Sequence, residues 1–253
     1  MLEIDQVYCG DCVEVMQGIE DDSIDLVITS PPYNCGKEYE SILTETEYYE
    51  FMKGCFIEIQ RILKPDGRFC INTAFNINRR DGDKKETVNV FLPIIDAIRE
   101  AGLIIKEDII WDQCNSGCKT AWGSWLSASS PYIRHMVEHI IVGYKNVWGK
   151  QAKGDTNIAT DRFMRLTLDK WRFSSTSNKE HPATFPVELP LNCIELFSYV
   201  GDLVLDPFLG SGTTAIACIR TNRHFLGIEL DPNYCDIANA RIAAEKAQML
   251  LTF

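Results

Sequence analysis

The 253-residue sequence has no long hydrophobic run, no excess of positive charge and no low-complexity tract. None of its apolar stretches approaches the roughly 18–20 residues that a membrane-spanning helix needs, so no such helix is predicted. The first five residues lack the basic region and apolar stretch of a signal peptide, and we therefore expect a cytoplasmic protein. With 45% hydrophobic and 24% charged residues, the composition is typical of one large globular domain.

Positive charge is scarce overall but is concentrated in one segment. The formal net charge of −11 argues against indiscriminate binding to polyanions. Between Lys145 and Glu180, however, eight Lys and Arg residues outnumber four Asp and Glu residues, which gives this basic segment +4 and leaves −15 for the rest. Such a distribution is typical of localised phosphate contact, although a solvated loop with an incidental charge also fits it.

Ten cysteines raise the question of a metal site or a disulfide scaffold. Most lie in apolar segments, where a thiol acts as a small hydrophobic side chain. Cys9 and Cys12 have the spacing of zinc ligands and Cys114 and Cys118 are one residue further apart, but no compact second pair follows in the usual register. We expect reduced, unligated thiols and no metal.

Strand-like and helix-like segments alternate along the chain, which predicts an α/β fold with a parallel or mixed sheet covered on both faces. The β-branched and aromatic runs predict strands at residues 7–8, Asp25–Thr29, Phe69–Asn72, Ile104–Trp111, His139–Tyr144, Leu203–Asp206 and Phe225–Leu230. Apolar periodicity predicts helices at Glu45–Leu63, Val88–Ala101, Val187–Tyr199, Thr213–Thr221 and Asn233–Ala247. The first helix is expected to stop at the turn-forming residues 64–67, and Gly149–Asn178 has only weak periodicity.

A glycine-rich turn follows the predicted strand Leu203–Asp206. Gly210 and Gly212 match the dinucleotide fingerprint, and Glu229 ends the next strand, where a carboxylate can accept both hydroxyls of a ribose. The Asp206 carboxylate suits a ligand with an ammonium group and tolerates a pyrophosphate poorly. S-adenosyl-L-methionine has an ammonium group, one ribose and no phosphate, so the pattern favours it; a purely structural turn is the alternative.

The position of the glycine turn in the sequence is also informative. Only 41 of the 253 residues follow Gly212, enough for one more strand and two helices. A dinucleotide-binding domain normally opens with its glycine motif, so here the rest of the sheet must come from upstream sequence. We therefore expect a circularly permuted fold.

A second turn, Ser30-Pro31-Pro32-Tyr33, breaks the strand-like run before it. Consecutive prolines fix φ and stiffen the loop, and the Ser30 hydroxyl and Pro31 carbonyl can both accept hydrogen bonds from one exocyclic NH2 group. These bonds would draw the nitrogen lone pair out of conjugation with the ring. Tyr33 can stack on the base, a contact worth about 1–3 kcal/mol. A base inside a duplex is unreachable for such chemistry, so it must be flipped out.

Together the two turns resemble those of a DNA amino-methyltransferase of the permuted (beta) class, and the resemblance covers nearly the whole chain. Residues 29–34 resemble the catalytic motif, residues 206–214 the cofactor motif and residues 227–231 the ribose-binding strand end. Residues 181–186 resemble the segment that covers the methionine moiety, and residues 10–12 the turn that contacts adenine. Residues 63–67 and 138–142 fit common core segments of the family.

The resemblance implies a Rossmann-like methyltransferase fold, S-adenosyl-L-methionine as cofactor and double-stranded DNA as substrate. The catalytic residues it implies are Ser30, Pro31, Pro32 and Tyr33. The cofactor-binding residues it implies are Asp11, Cys12, Phe185, Pro186, Asp206, Phe208, Gly210, Gly212, Thr213, Glu229 and Leu230. A homodimer and a cognate restriction endonuclease are the further partners common in this class.

The resemblance also divides the chain. Residues 1–148 are expected to form the catalytic half of one domain, residues 149–180 a small target-recognition insertion, and residues 181–253 the half that binds the cofactor. The insertion coincides with the basic segment, in which Arg162, Arg165 and Arg172 are candidate DNA contacts. No recognition sequence can be predicted from these residues.

Four other functions compete with this interpretation. His135, Glu138 and His139 form an inverted zinc-protease pattern, but the apolar run after them predicts a strand rather than the helix that the pattern needs. A cytosine carbon-5 methyltransferase needs a cysteine nucleophile, usually after proline, and the sequence has no Pro-Cys dipeptide. A nicotinamide dehydrogenase is disfavoured by the late glycine motif. A DNA- or RNA-binding module without catalysis is disfavoured by the intact motifs.

The target base follows less directly from the sequence. Family members with serine at the first position of the catalytic motif mostly act on N4 of cytosine, whereas aspartate is commoner for N6 of adenine. Ser30 therefore favours cytosine, with adenine as the alternative.

Overall fold

The computed structural model describes residues 2–34, 43–81, 84–114, 123–131, 133, 135–175 and 185–250. Within these ranges the strands are β1 (Gln6–Cys9), β2 (Ile24–Thr29), β3 (Leu63–Thr73), β4 (Asn76–Asp81), β5 (Lys84–Asn89), β6 (Ile104–Asp112), β7 (Val137–Tyr144), β8 (Lys170–Arg172), β9 (Leu203–Asp206) and β10 (His224–Glu229). The helices are α1 (Cys12–Met16), α2 (Glu45–Ile62), α3 (Phe91–Glu100), α4 (Thr160–Leu166), α5 (Glu188–Phe197), α6 (Thr213–Thr221) and α7 (Pro232–Leu250).

Eight of the described strands form one mixed sheet in the order β1-β10-β9-β2-β3-β7-β6-β8. The first five run parallel, β7 is antiparallel to both β3 and β6, and β8 runs parallel to β6. The carboxyl ends of β2, β3, β6, β8, β9 and β10 therefore meet at one edge, which we call the ligand edge. Open α/β sheets place their ligand crevices at this edge.

Helices cover both faces of the sheet, as the sequence predicts. One hydrophobic cluster joins α1, α2 and α3 to the first face, and the other joins α4, α5, α6 and α7 to the opposite face. The central strand β2 is buried along its whole length, with Leu26 and Ile28 in one cluster and Val27 in the other. Burial on both faces explains its continuous apolar run.

The two motif strands are direct neighbours. In the register of β2 and β9, Leu26 pairs with Val204 and Val27 with Leu205, although the strands are far apart in the sequence. Because the two strands are parallel, the turn after Thr29 and the turn after Asp206 lie side by side at the ligand edge. This adjacency positions the candidate site.

The structure adds elements that the sequence analysis missed. β4 and β5 form an antiparallel hairpin in which Asn76 pairs with Asn89 and Asp81 with Lys84, and its second strand ends where helix α3 was expected to begin. The dipeptide Gly82-Asp83, which separates the two strands in the sequence, is a typical hairpin turn signal. Residues 149–178, in which the weak periodicity predicted no particular element, contain α4 and β8.

Two local features set the start and the end of α2. Thr44 and Glu47 form a capping box at its beginning, with the Glu47 carboxylate accepting from the Thr44 backbone at 2.8 Å. At its end the chain enters β3 directly, but the pairing with β2 jumps from Leu63 to Arg68. Residues 64–67 thus form an irregularity near the start of β3, and α2 stops before them, as the sequence predicts. Among the described residues, no helix combines the length and apolarity needed to cross a bilayer.

Candidate active site

The Ser-Pro-Pro-Tyr turn leaves β2 at the ligand edge. Ser30 Oγ lies 3.2 Å from the Tyr33 hydroxyl, so the first and last residues of the turn are joined by a hydrogen bond. The next residue, Asn34, has φ of 55° and clamps the backbone of Leu43 through both its side-chain oxygen and its nitrogen, at 2.8 and 2.7 Å. The turn is therefore held at both ends, as a binding loop requires.

Side chains from three other strand ends complete this half of the site. Glu138 at the start of β7 accepts from the Tyr33 hydroxyl at 3.2 Å, from Asn72 Nδ2 at 2.6 Å and from Gln113 Nε2 at 2.8 Å. Asn72 Nδ2 also lies 3.3 Å from the Tyr33 oxygen and 3.5 Å from Ser30 Oγ. We call Ser30, Tyr33, Asn72, Gln113 and Glu138 the catalytic cluster; the sequence analysis missed Asn72 and Gln113 and gave Glu138 no role here.

Two properties of the catalytic cluster bear on its chemistry. Burial, and then the negative charge of Glu138, raise the pKa of the Tyr33 phenol well above its usual range, so the phenol keeps its proton at neutral pH. The side-chain oxygen of Asn72 is buried and has no hydrogen-bond partner among the described residues. An unpaired buried acceptor costs about 1–3 kcal/mol, which a donor on a bound ligand would offset.

Asp206 links the two turns. Its carboxylate accepts from the Thr29 hydroxyl at 2.6 Å, directly before Ser30, and from the Thr214 hydroxyl at 2.5 Å, in the first turn of α6. The backbone N–H of Phe208 donates to it at 3.1 Å. The residue is only 1% exposed, and burial raises the pKa of its carboxyl to about 6 against these stabilising hydrogen bonds. Asp206 thus holds the β2 and β9 strand ends together.

The glycine turn has the backbone conformations that only glycine adopts without strain. Gly210 and Gly212 have φ of 55° and 87°. A side chain at Gly212 would press on Ala238 of α7 at 3.1 Å, whereas the space beside Gly210 is open. The Glu229 carboxylate accepts from the Gly210 N–H at 2.8 Å and from the Asp231 N–H at 2.9 Å, which fixes the β10 strand end against the turn.

Three of the remaining predicted cofactor residues differ in how far their side chains are open to a ligand. Leu230 follows Glu229 and is 67% exposed, which offers apolar surface at the crevice. Asp11 caps α1 by accepting from the N–H groups of Val13 and Glu14, at 2.9 and 3.1 Å. Cys12 is buried with its sulfur 3.5 Å from that of Cys55, so its thiol faces the core rather than a ligand.

Aromatic and hydroxyl residues complete the predicted cofactor set. The Phe208 ring packs edge-on against Phe51 at 6.0 Å, and Phe185 packs against the second core cluster. Pro186 and Thr213 are buried. The predicted segment 181–184 lies outside the described residues.

The basic segment has fewer cations free to contact a phosphate than its charge suggests. Lys145 is buried and donates to Asp22 and to two backbone carbonyls, and Lys150 lies between Asp25 and Asp202 at 3.3 and 3.4 Å. Arg162 is paired with Glu195 and donates to Asn192 of α5 at 2.8 Å. These three cations hold the protein together, so the segment cannot be treated as one phosphate-binding surface.

Two of the three candidate DNA contacts are exposed. The side chain of Arg165 is 71% exposed and pairs with Asp161 within α4. The side chain of Arg172 is 69% exposed and lies 3.4 Å from Asp112, which Lys170 also contacts at 3.0 Å. Since β8 runs parallel to β6, Arg172 lies at the ligand edge.

The structure leaves no support for the zinc-protease pattern. Glu138 and His139 are consecutive residues of a strand, and His139 Nδ1 contacts Asp108 at 2.8 Å while Glu138 contacts the catalytic cluster. Within the described ranges no group of His, Cys, Asp and Glu is arranged to hold a metal ion. Cys118 of the candidate zinc set lies outside those ranges.

A doubly covered α/β sheet that brings a stiff Ser-Pro-Pro-Tyr turn and a glycine turn together at its ligand edge has the arrangement expected of a Rossmann-like methyltransferase. In agreement, the family model described as DNA methylase matches residues 24–240. The match spans most of the sequence, and the chain therefore belongs to this family of DNA amino-methyltransferases.

Individual relatives agree with this assignment. The chain is 36% identical over 165 residues to the type II methyltransferase M.MjaVI of Methanocaldococcus jannaschii, covering 64% of this chain and 82% of that protein. Its fold is similar to that of the putative DNA modification methylase TTHA0409 of Thermus thermophilus, solved with S-adenosyl-L-methionine, with a TM-score of 0.75, 28% identity and 95% coverage of both chains. It is also similar to the cytosine-N4-specific PvuII DNA methyltransferase, with a TM-score of 0.72, 25% identity and coverage of 93% and 85%.

Proposed function

We propose that the chain transfers a methyl group from S-adenosyl-L-methionine to the exocyclic N4 of a cytosine that is flipped out of double-stranded DNA. The observation that carries this proposal is the adjacency of β2 and β9, with Thr29 and Asp206 joined at 2.6 Å. It brings a turn suited to an amine acceptor and a turn suited to the cofactor into one crevice.

The residues around the glycine turn fit S-adenosyl-L-methionine. The open space beside Gly210 allows close approach to the backbone, and the Glu229 carboxylate at the end of β10 is placed to accept from the ribose hydroxyls. The exposed Leu230 side chain and Asp11 suit the adenine. Asp206 is covered by Thr29 and Thr214, so we propose that it attracts the cofactor ammonium mainly as a buried negative charge.

In the proposed reaction the bound cofactor would supply an electrophilic methyl group and leave as S-adenosylhomocysteine. The chain orients the amine, whose nitrogen takes up the methyl group and releases one proton to solvent. The Ser30 oxygen and the Pro31 carbonyl accept from the amine and direct its lone pair, Pro32 keeps the turn stiff, and the Tyr33 ring stacks on the base. The Tyr33 hydroxyl donates to the carboxylate of Glu138 at the start of β7, which fixes the plane of the Tyr33 ring. No covalent intermediate is required.

Cytosine is favoured over adenine by two observations. Ser30 occupies the first position of the motif, and one structural relative is described as cytosine-N4-specific. Adenine N6 would be methylated by the same geometry. A homodimer, a cognate endonuclease and the target-recognition role of residues 149–180 stay predictions.

Nucleoside analysis tests the proposal. DNA methylated by the purified protein with S-adenosyl-L-methionine is digested and separated, and we expect N4-methylcytosine. N6-methyladenine would replace the cytosine assignment and keep the chemistry. No labelled methyl group in DNA of any sequence would instead point to a non-catalytic relative and contradict the proposal.

A further inference from the structure

Glu138 gathers an unusual number of donors. Its Oε2 accepts from Asn72 Nδ2 at 2.6 Å and from the Tyr33 hydroxyl at 3.2 Å, and its Oε1 accepts from Gln113 Nε2 at 2.8 Å. All three contacts need an acceptor, and an ionised carboxylate is acceptor-only. In the transfer proposed above, Glu138 only anchors the Tyr33 hydroxyl.

These contacts determine where the Tyr33 proton points. The hydroxyl has one proton and three oxygens in reach: Glu138 Oε2 at 3.2 Å, Ser30 Oγ at 3.2 Å and the Asn72 carbonyl at 3.5 Å. A hydrogen bond to a charged acceptor is about twice as strong as one between neutral groups. The Tyr33 proton is therefore directed to Glu138.

The direction of the Tyr33 proton in turn sets the direction of the Ser30 hydroxyl proton. With its own proton committed to Glu138, the Tyr33 oxygen can only accept, so the Ser30 hydroxyl donates to it across 3.2 Å. The second N–H of Asn72 also points to this pair, at 3.3 Å from Tyr33 and 3.5 Å from Ser30. The Ser30 proton is then turned away from the crevice, and its oxygen lone pairs are left for a ligand.

Resting on the function proposed above, we propose that Glu138 is a positioning residue that orients the hydrogen-bond chain from Ser30 through Tyr33 to Glu138. The oriented chain presents the oxygen of Ser30, and not its proton, to the amine of the target base. An amine is a donor, so a hydroxyl proton aimed at it would repel it. Glu138 thereby makes the Ser30 oxygen selective for a base that carries an exocyclic NH2 group.

Glu138→Gln replaces one acceptor oxygen of Glu138 with a donor nitrogen, with little change in side-chain size. An amide has one acceptor oxygen and one donor nitrogen, so it cannot accept from all of Asn72, Tyr33 and Gln113. We expect kcat for methyl transfer to fall by about 10- to 100-fold, less than the loss of a hydrogen-bond partner that contacts the reacting group itself. The KM for DNA and the affinity for S-adenosyl-L-methionine change much less, because Glu138 lies on the catalytic half of the crevice.

Binding to modified duplexes gives a readout that needs no turnover. Once the methylated position has been mapped, two duplexes are prepared, one with the target base and one with its analogue that lacks the exocyclic amine. Wild type is expected to bind the amine-bearing duplex more tightly. Glu138→Gln and Tyr33→Phe are expected to lose most of that preference, whereas a purely structural defect weakens both duplexes equally.

The matched control is Glu107→Gln, which removes a carboxylate from an exposed position of β6. It should keep both the preference and the rate. Tyr33→Phe is a second test in case Glu138→Gln does not fold. It breaks the hydrogen-bond chain between Ser30 and Glu138, while Asn72 and Gln113 still donate to Glu138.

The outcomes separate the two proposals. A wild-type preference and rate in Glu138→Gln, or in Tyr33→Phe, overturns the role of Glu138 and leaves the proposed function standing. A wild-type protein that methylates no DNA overturns the proposed function itself.

Discussion

The two halves of the crevice are built in different ways. In the cofactor half, around the glycine turn, the carboxylates of Asp206 and Glu229 accept backbone N–H groups only two residues ahead, at Phe208 and Asp231. In the catalytic half, Tyr33 meets Asn72 and Glu138 from 39 and 105 residues away. The residues around the glycine turn thus come mostly from one continuous stretch of sequence, 206–231, which the Thr29 hydroxyl joins to the catalytic half. The catalytic half exists only when the sheet is assembled.

This comparison predicts that the halves can be damaged separately. Ser30→Ala removes one acceptor for the amine and no contact in the glycine turn, so methyl transfer should fall by about 10- to 1,000-fold, the scale of losing one positioned hydrogen-bond partner. The affinity for S-adenosyl-L-methionine should stay within error. Single-turnover transfer of labelled methyl and titration calorimetry measure the two quantities.

Ser23→Ala is the matched control for Ser30. The Ser23 hydroxyl lies at the other end of β2 and donates to the Glu20 carbonyl at 2.7 Å. It should transfer methyl groups at the wild-type rate. If Ser30→Ala did so too, the role given to Ser30 would be wrong.

Asp206→Asn damages the cofactor half. The variant keeps most of the shape of Asp206 but loses the negative charge that we propose attracts the cofactor ammonium, and we expect about a 10-fold loss of cofactor affinity. Since the pKa of this carboxyl is about 6, wild-type affinity should rise as the pH rises through 6 and the carboxylate forms. The variant should lack this rise between about pH 5 and 7, which calorimetry at several pH values measures.

The same carboxyl also affects stability without cofactor. Its pKa in the fold, about 6, lies above its ordinary value of 3.8, so the folded state prefers the protonated form. The contribution is complete below about pH 4 and is lost as the pH rises through 6, by on the order of 3 kcal/mol. Denaturant unfolding of wild type and Asp206→Asn should therefore differ in slope between about pH 4 and 6. If the free energies of unfolding of the two proteins change with pH in parallel, the raised pKa of Asp206 is excluded.

The smallest effect concerns DNA contacts outside both halves. Replacing Arg165 or Arg172 with Gln should reduce the slope of log K against log salt by about 0.9 for each lost phosphate contact. Arg162→Gln is the matched comparison, because its guanidinium already pairs with Glu195 and bonds Asn192. It should lower the free energy of unfolding and leave the slope unchanged. An unaltered slope in Arg165→Gln or Arg172→Gln removes that residue from the interface.

The difference between contacts that are local in the sequence and contacts that form only in the assembled sheet also explains which features could be predicted. Seven of the strands and both turns were predictable, because a buried apolar run that ends in proline or glycine is a local signal. The resemblance to a known family assigned the two turns to one site, and the structure added that β2 and β9 pair directly. Asn72 and Gln113 were not predictable, since a polar residue at a strand end has no distinctive pattern. Glu138 stood out within a zinc-like pattern that the strand geometry rules out, and as the first residue of a segment common to the family, but neither gave it a place in the site.

Charge counting failed for a related reason. Lys145, Lys150 and Arg162 add to the basic segment in the sequence, but their partners Asp22, Asp25 and Glu195 lie far away along the chain. Pairing in three dimensions cannot be counted along one segment. The hairpin of β4 and β5, by contrast, had a usable signal in the dipeptide Gly82-Asp83.

The most direct measurement of the central claim is a structure of the protein with a target duplex and a non-transferable analogue of S-adenosyl-L-methionine. We predict the flipped base against the Tyr33 ring, with its amine nitrogen about 3 Å from both Ser30 Oγ and the Pro31 carbonyl oxygen. The analogue should lie along the glycine turn beside Gly210. A target base that stays in the helix, or an amine bound away from Ser30, would contradict the account.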